Sequence, residues 1–166
     1  LAGSHTVFAE VMAALATTTS APLPDLLVCS GRYVKDGSLA RATVFHSAAL
    51  LNATAYTRAL LLGSTPPHQA TLFGPGARCR LARYASGFSL SADLDYFLQL
   101  SRHRDLRVQC LHLELVYMGA GGISGQQTQR RLQEVRRAYR RAFGWCWWFP
   151  FMLRYLRRLA SLLRSA

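Results

Sequence analysis

Acidic residues are scarce in this sequence. It contains 8 Asp and Glu against 20 Lys and Arg, which gives a formal net charge of +12. Residues 126–166 hold ten arginines and a single acid, Glu134, so most of the imbalance lies near the C-terminus. Such a surface attracts anionic membranes, nucleic acids or acidic protein faces. Because 51% of the residues are apolar, the chain can also fill a core, which excludes a disordered polycation.

Paired cysteines are missing as well. The four cysteines are widely spaced, form no C-x-x-C pair and do not match a zinc-binding spacing. We expect them to be buried free thiols in a protein of a reducing compartment. They are Cys29, Cys79, Cys110 and Cys146.

No catalytic constellation is visible. The five histidines are scattered, and the glycines of 119–122 lack the spacing and the lysine of a phosphate-binding loop. Asp93 and Asp95 stand two apart on a predicted helix and would point to different sides, which makes them poor metal partners. We therefore expect a protein that is not an enzyme and uses no cofactor or metal.

Long hydrophobic runs are absent too, because no stretch holds the ~20 apolar residues that a membrane span needs. The segment 143–151 is instead dense in aromatics, and a helix follows it from Met152. Tryptophan prefers the membrane–water interface and arginine reaches headgroups, so an interfacial helix on anionic lipid is one interpretation. Packing of the tryptophans on the protein's own sheet or on a second copy is the other. The tryptophans are Trp145, Trp147 and Trp148.

The helix predicted from Met152 onward has an apolar side and a basic side. Its apolar side is expected to pack or to meet lipid, and its basic side to face water or headgroups. The apolar side would be Met152, Leu153, Leu156, Leu159, Ala160 and Leu163, and the basic side Arg154, Arg157, Arg158 and Arg164.

The clearest pattern covers residues 106–143. Leu111, Leu113, Leu115 and Tyr117 alternate with polar or small residues, which predicts a half-buried strand. Glycines at 119–122 end that strand, and from Gln126 the spacing becomes helical. This long basic helix has an apolar stripe of Leu132, Val135, Tyr139 and Ala142, surrounded by Arg130, Arg131, Arg136, Arg137, Arg140 and Arg141.

The remaining elements predict an α+β domain. A short helix over 7–15 would bury Phe8, Val11, Met12 and Leu15 on one face, with Glu10 beside it. A second helix would begin at Ser91, and a hairpin turn is predicted at 35–38. The predicted strands are 26–29, 41–50, 56–62, 70–73 and 77–84.

We expect residues 1–143 to form a single α+β globular domain and 144–166 to form an amphipathic tail rich in Trp and Arg. No signal peptide is visible at the start, and the first residues already belong to a structured stretch. The chain is therefore expected to be a piece of a longer protein.

Several stretches, taken in order, carry a family resemblance. They are the strand-to-helix segment 6–15 with its glutamate, the two strands of 25–48, the motifs Leu-Leu-Gly-Ser-Thr at 61–65 and Ser-Leu-Ser-Ala-Asp-Leu-Asp at 89–95, and the strand 113–119 with the helix after it. In order and spacing, residues 5–143 resemble the membrane-anchored subunit of the herpesvirus nuclear egress complex.

The resemblance implies a mainly antiparallel, β-sandwich-like core with flanking helices and no enzymatic activity. It implies tail anchoring at the nucleoplasmic face of the host inner nuclear membrane. There the subunit forms a heterodimer, and in turn a lattice, with a nucleoplasmic partner that lays a helical hook in a groove, so that capsids bud through the membrane. Carried over to this chain, the groove would take in Glu10, Val11 and Leu15, with Leu132, Val135 and Tyr139 as its other wall.

Two function classes follow from the residues. A scaffold would meet anionic lipid through Arg136, Arg137, Arg140 and Arg141 and the three tryptophans. The alternative is a basic nucleic-acid-binding module, since arginine-rich helices and exposed aromatics also suit phosphates and bases. Salt-dependent binding to DNA or RNA without lipid binding would favour the alternative. A small catalytic domain would need a pocket of converging titratable groups, which the sequence does not indicate.

Overall fold

A computed structural model of the chain describes residues 4–18, 23–35, 38–45, 52–119 and 128–165. Short 3-10 turns lie at His68–Ala70 and Gly144–Trp147. The helices are α1 (Ser4–Thr18), α2 (Ala53–Leu61), α3 (Pro75–Arg80), α4 (Ala92–Leu100), α5 (Thr128–Phe143) and α6 (Trp148–Ser165). The strands are β1 (Leu26–Lys35), β2 (Ser38–Phe45), β3 (Thr71–Phe73) and β4 (Val108–Gly119).

Strand β1 is the centre of a four-stranded mixed sheet. Strand β4 runs parallel to it along one edge, with Leu26 opposite Val108 and Val34 opposite Gly119. Strands β3 and β2 are antiparallel to β1 and share its other edge, β3 beside Val28 and β2 beside Gly31. The predicted α+β class is confirmed. The described strands form one sheet, so the sandwich-like arrangement stays a prediction, and residues 36–37 and 46–50 of the predicted hairpin lie outside the described residues.

The two faces of β1 belong to two separate apolar clusters. Leu26 and Val28 join the larger cluster, whereas Leu27 and Cys29 join the smaller one. Successive side chains of a strand point to opposite faces of the sheet, so the two clusters lie on opposite faces. Helices α2, α4, α5 and α6 contribute to the larger cluster, and α1 contributes to the smaller one. The fold therefore separates α1 from α5 by the thickness of the sheet.

Two predicted strands are helices or loops. Residues 56–61 of the predicted strand 56–62 belong to α2, whose Tyr56 and Leu60 are buried at a spacing of four, which is a helical period. Asn52 begins this helix, because its side-chain oxygen accepts the backbone N–H of Ala55 at 2.8 Å. The segment 77–84 contains the end of α3, which begins with Pro75 at its first turn, followed by an irregular loop.

Asp25 ties the start of β1 to its surroundings, although the sequence analysis did not single it out. Its carboxylate is fully buried and accepts the backbone N–H of Arg107 at 2.8 Å. The guanidinium groups of Arg107 and Arg80 lie 3.2 and 3.3 Å from the same carboxylate. A Cβ atom at Gly76 would lie 1.9 Å from Asp25 Oδ1, so only glycine fits there. The arrangement holds β1, α3 and the segment before β4 together.

Residues 144–165 follow directly on α5 and pack against the domain. Trp147, Phe151 and Tyr155 pack against the larger cluster. Arg154 donates to the carbonyl of Gly63 at 2.9 Å, and a Cβ at Gly63 would lie 2.4 Å from the Cα of Arg154. The predicted boundary after residue 143 is therefore not a break in packing.

Candidate functional site

The buried stripe of α5 fixes the orientation of its arginines. Val135, Ala138 and Tyr139 are buried in the larger cluster, and Ala142 packs against it. Leu132, at the start of the predicted stripe, is 42% exposed instead. Because the buried residues follow a helical period, the arginines between them are turned outward.

Glu134 fixes α5 to the start of α4. Its carboxylate accepts the backbone N–H groups of Ser89, Leu90 and Ser91 at 2.8 to 3.1 Å. Burial alone would raise the pKa of Glu134, but these backbone hydrogen bonds and the nearby Arg130 outweigh it and lower the pKa below 4.5. An anion at this place also suits the positive end of the α4 dipole. The sequence pattern does not predict this role. In the sequence, Glu134 is only a single acid among arginines.

Two of the four predicted membrane arginines are engaged with the protein itself. Arg141 forms an ion pair of 2.5 Å with the buried Asp95. Arg137 donates to the carbonyl of Gly87 at 3.3 Å. Both guanidinium groups also lie over the ring of Phe88, at 5.0 Å for Arg137 and 5.7 Å for Arg141. These contacts give Arg137 and Arg141 a structural role that the helical pattern did not reveal.

The other two arginines lie on the open side of α5. Arg140 is exposed, and Arg136 is exposed with its guanidinium 5.0 Å from the centre of the Trp147 ring. Together with Arg137, Arg141 and Gln133 they line an open depression of about 490 Å³. The part of the predicted basic surface that is most available to an anionic partner is therefore Arg136 and Arg140.

The three predicted membrane tryptophans have different surroundings. Trp145 is 84% exposed and Trp148 is 54% exposed. Trp147 is half-buried and packs edge-on against Phe151, with ring centres 5.5 Å apart. Trp147 therefore takes part in the packing of the domain, and its contact with a membrane stays a prediction. Phe149, which was not predicted as a site residue, is exposed like Trp148.

Helix α6 packs on the domain through Phe151 and Tyr155 and also buries an arginine on this side. Arg154 is buried and donates to Gly63, and Arg157 donates to the carbonyl of Leu62 at 2.9 Å. These carbonyls follow the end of α2, where cations are favourable. The side of α6 away from them carries an exposed apolar stripe at spacings of three and four. The stripe is Trp148, Met152, Leu156, Leu159 and Leu163.

The predicted partner groove does not form between α1 and α5. Val11 is buried against the smaller cluster, whereas Val135 and Tyr139 are buried in the larger one on the other face of the sheet. The prediction that these residues line one open groove is wrong. The two clusters pack against alternate residues of β1 and therefore lie on opposite faces of the sheet. Glu10 is exposed and Leu15 is half-buried, so both remain on the α1 surface.

Helix α1 has an exposed apolar pair instead. The helical spacing predicts that Phe8 and Met12 share the buried face with Val11. In the structure Phe8 and Met12 are 58% and 63% exposed and lie one turn apart. Exposed Glu10 lies between them in the sequence. The exposed surface of α1 therefore includes this apolar pair, whereas Glu10, two residues from each, faces a different side of the helix.

The thiols are more exposed than expected. Cys29 is buried, and burial, with a smaller effect from Cys110, raises its pKa to about 11. Cys110 is half-buried, but Cys79 and Cys146 are exposed, which corrects the prediction of buried thiols. Among the described residues no three His, Cys, Asp or Glu side chains are placed to hold a metal ion. None of the described helices combines the length and apolar content needed to cross a bilayer.

Comparison with known proteins gives no relative: no protein-family model matches the chain, and neither the curated proteins nor the solved structures contain a match to it.

Proposed function

We propose that this chain is a non-enzymatic scaffold that lies on an anionic membrane and holds a protein partner. The observation that carries the proposal is the outward apolar stripe of α6, from Trp148 to Leu163, together with the exposed Arg136 and Arg140 of α5. Large apolar side chains in one exposed row are costly in water and mark a contact surface.

A membrane interface suits both parts of this surface. Burying one Leu or Met side chain stabilises by about 1.5–3 kcal/mol, and the stripe offers several such side chains. Tryptophans such as Trp145 and Trp148 favour the depth of the headgroups. Arginines near an anionic surface add about 1 kcal/mol each, an attraction that salt weakens. Arg154 and Arg157 are bound to α2, so the headgroup attraction is assigned to α5.

The membrane-anchored subunit of the herpesvirus nuclear egress complex is the family whose role fits this proposal. On that reading the chain works at the host inner nuclear membrane as one half of a heterodimer that drives capsid budding. The sandwich-like core implied by the resemblance is part of the proposal. The partner's helix would contact the outward side of α1, through Phe8 and Met12, because an amphipathic helix binds where apolar side chains are spaced one turn apart.

Vesicle flotation tests the membrane part of the proposal. We expect the chain to float with vesicles that contain phosphatidylserine and not with neutral vesicles. The variant L156E/L159E should lose this binding, because two charges would have to enter the interface. The control T54E/A82E adds the same charge at exposed positions outside α6 and should still bind. Equal binding of the chain to neutral and anionic vesicles, or unchanged binding of L156E/L159E, would contradict the proposal.

A nucleic-acid-binding module is the second candidate, because Arg136 and Arg140 are exposed and Arg136 lies over the Trp147 ring. Binding to DNA or RNA would fall steeply with salt. The stripe of Met152, Leu156, Leu159 and Leu163 argues against it, since base stacking uses aromatic side chains and not aliphatic ones. L156E/L159E should leave any nucleic-acid binding nearly unchanged while it abolishes vesicle binding, so the two candidates separate in one variant.

A further inference from the structure

A polar cleft lies between α4, α5 and the loop that precedes α4. Its volume is about 590 Å³, within the range of about 300–1,000 Å³ typical of ligand pockets. The loop contributes Arg83 and Tyr84, α4 contributes Tyr96 and Gln99, and α5 contributes Arg137 and Arg141. Three arginines thus converge on one concave surface, with Asp95 as the single acid of its lining.

The two α5 arginines are held in place before any ligand arrives. Both guanidinium groups stack on Phe88, and each gives one N–H to the protein, Arg137 to Gly87 and Arg141 to Asp95. A guanidinium has five N–H donors, so most of them remain for a ligand. A Cβ at Gly87, where φ is +81°, would lie 2.8 Å from Arg137 Nη1, so glycine allows this close approach. Guanidinium groups fixed in this way bind phosphate with a small entropy cost.

The wall of the cleft also has a buried acceptor and a buried donor without partners. Asp95 Oδ1 and Gln99 Nε2 make no hydrogen bond of normal length within the described residues, although both are buried. Burial raises the pKa of Asp95, and Arg141 and the Gln99 amide oppose that rise, so the amide faces the carboxylate. Arg102 donates to Gln99 Oε1 at 3.3 Å, which leaves the amide nitrogen as the available group. Both atoms are closed off from solvent and face each other, so they belong to the wall of the cleft and not to its open surface.

We propose that this cleft binds a polyol that carries phosphate monoesters, such as the phosphorylated inositol headgroup of a membrane lipid. The phosphates would accept from Arg83, Arg137 and Arg141, and the ring hydroxyls would lie over the polar lining formed by Ser86 and Gln99. Several phosphates on one ring would use the remaining N–H donors of the three arginines, which is why a phosphorylated polyol fits better than a bare phosphate. Tyr84 and Tyr96, with ring centres 4.8 Å apart, give the apolar wall against which the ring would lie.

The lipid source of this headgroup rests on the proposed function, whereas the cleft itself does not. Titration calorimetry with soluble inositol 1,4,5-trisphosphate tests the cleft alone. Arg83 is exposed and has no ion pair in the described part of the chain, so R83Q should fold normally. We expect R83Q to weaken binding by about tenfold and the matched control R104Q to change it by less than about twofold. No binding of the headgroup to the chain, or equal effects of R83Q and R104Q, would overturn the proposal.

Vesicles distinguish the two sources of the phosphate. A lipid source predicts tighter binding to vesicles with phosphatidylinositol 4,5-bisphosphate than to phosphatidylserine vesicles of equal charge, and R83Q should remove only that preference. A soluble source predicts headgroup binding without the preference. Binding to phosphatidylserine vesicles without headgroup binding would reject the cleft and leave the membrane proposal standing. Headgroup binding without binding to any vesicle would reject the membrane proposal and leave the cleft standing.

Discussion

The carboxylate of Glu134 accepts the backbone N–H of Ser91 at 2.9 Å, so a buried acid of α5 caps the first turn of α4. The Ser91 side chain, which the sequence predicted as the cap, makes no capping hydrogen bond. The single acid of the basic C-terminal segment thus sets the position of α5 against α4. That position in turn aligns Arg137 and Arg141 with the cleft.

Replacing this acid should destabilise the fold. E134Q keeps the shape but loses the negative charge that accepts three backbone N–H groups, and we expect a loss of about 1–3 kcal/mol in the free energy of unfolding. The control E10Q makes the same change at an exposed position and should cost less than about 0.5 kcal/mol. Urea unfolding measures both, and a cost for E134Q as small as that for E10Q would show that the cap is not needed.

The same carboxylate should make stability depend on pH. The folded pKa of Glu134 is lower than the value of 4.5 for a free glutamate, so the folded chain binds a proton less readily than the unfolded chain. Its contribution is complete above pH ~4.5 and is lost as the pH falls through the folded pKa. The stability difference between the natural chain and E134Q should therefore shrink on acidification below that pH, as urea midpoints at a series of pH values would show. A difference that stays constant into strong acid would contradict this.

Asp25 and Asp105 both pair with Arg80 but should differ in importance. Asp25 is fully buried, whereas the Asp105 side chain is 73% exposed. D25N leaves two guanidinium groups facing a neutral amide and should cost about 2–3 kcal/mol. D105N removes an ion pair at the surface, where water and salt screen it, and should cost much less. Thermal melting of the two variants compares them directly, and similar losses would mean that burial does not govern this network.

The arginines of α5 should divide into two pairs. R136E/R140E should keep the melting temperature within a few degrees, because these residues lose only a cation–π contact worth about 0.5–1 kcal/mol. It should lose binding to phosphatidylserine vesicles. R137E/R141E should lower the melting temperature, because it removes the Asp95 ion pair and puts negative charge beside a buried carboxylate. Melting curves that do not separate the pairs would contradict the assignment.

Two exposed thiols report which side of the molecule meets lipid. Cys146 lies between exposed Trp145 and Trp148, and Cys79 lies on α3. Alkylation at pH 8 should modify both, and should be slow at Cys29, whose pKa is raised to about 11. Anionic vesicles should slow the modification of Cys146 and leave Cys79 unchanged, as peptide mass spectrometry would show. Equal protection of Cys79 and Cys146 would place the contact elsewhere.

Local patterns predicted the local elements that have a clear period. The alternation of Leu111, Leu113 and Leu115 identified β4, and the packing of all three against the smaller cluster agrees with it. The stripe of Val135 and Tyr139 identified the buried side of α5. The prediction for segment 56–62 failed because a short apolar run fits either period, and the helix cap at Asn52 was not recognised in the sequence.

The predicted groove failed for a reason that no local pattern contains. Strand β1 pairs with β4, about 80 residues away in the chain, and this pairing decides which face each helix covers. The orientation of α6 could not be predicted either. The amphipathic pattern of α6 does not say whether its apolar side faces the domain or the solvent. The orientation depends on the carbonyl groups of Leu62 and Gly63, which accept hydrogen bonds from Arg157 and Arg154.

The sheet that divides the two apolar clusters also divides the outer surface. If the stripe of α6 rests on lipid, Phe8 and Met12 of α1 lie on the far side of the sheet, pointing into the aqueous phase. A second protein could then dock without displacing the bilayer and without being displaced by it. The chain would work as a two-sided adaptor, whose two occupants are independent of each other.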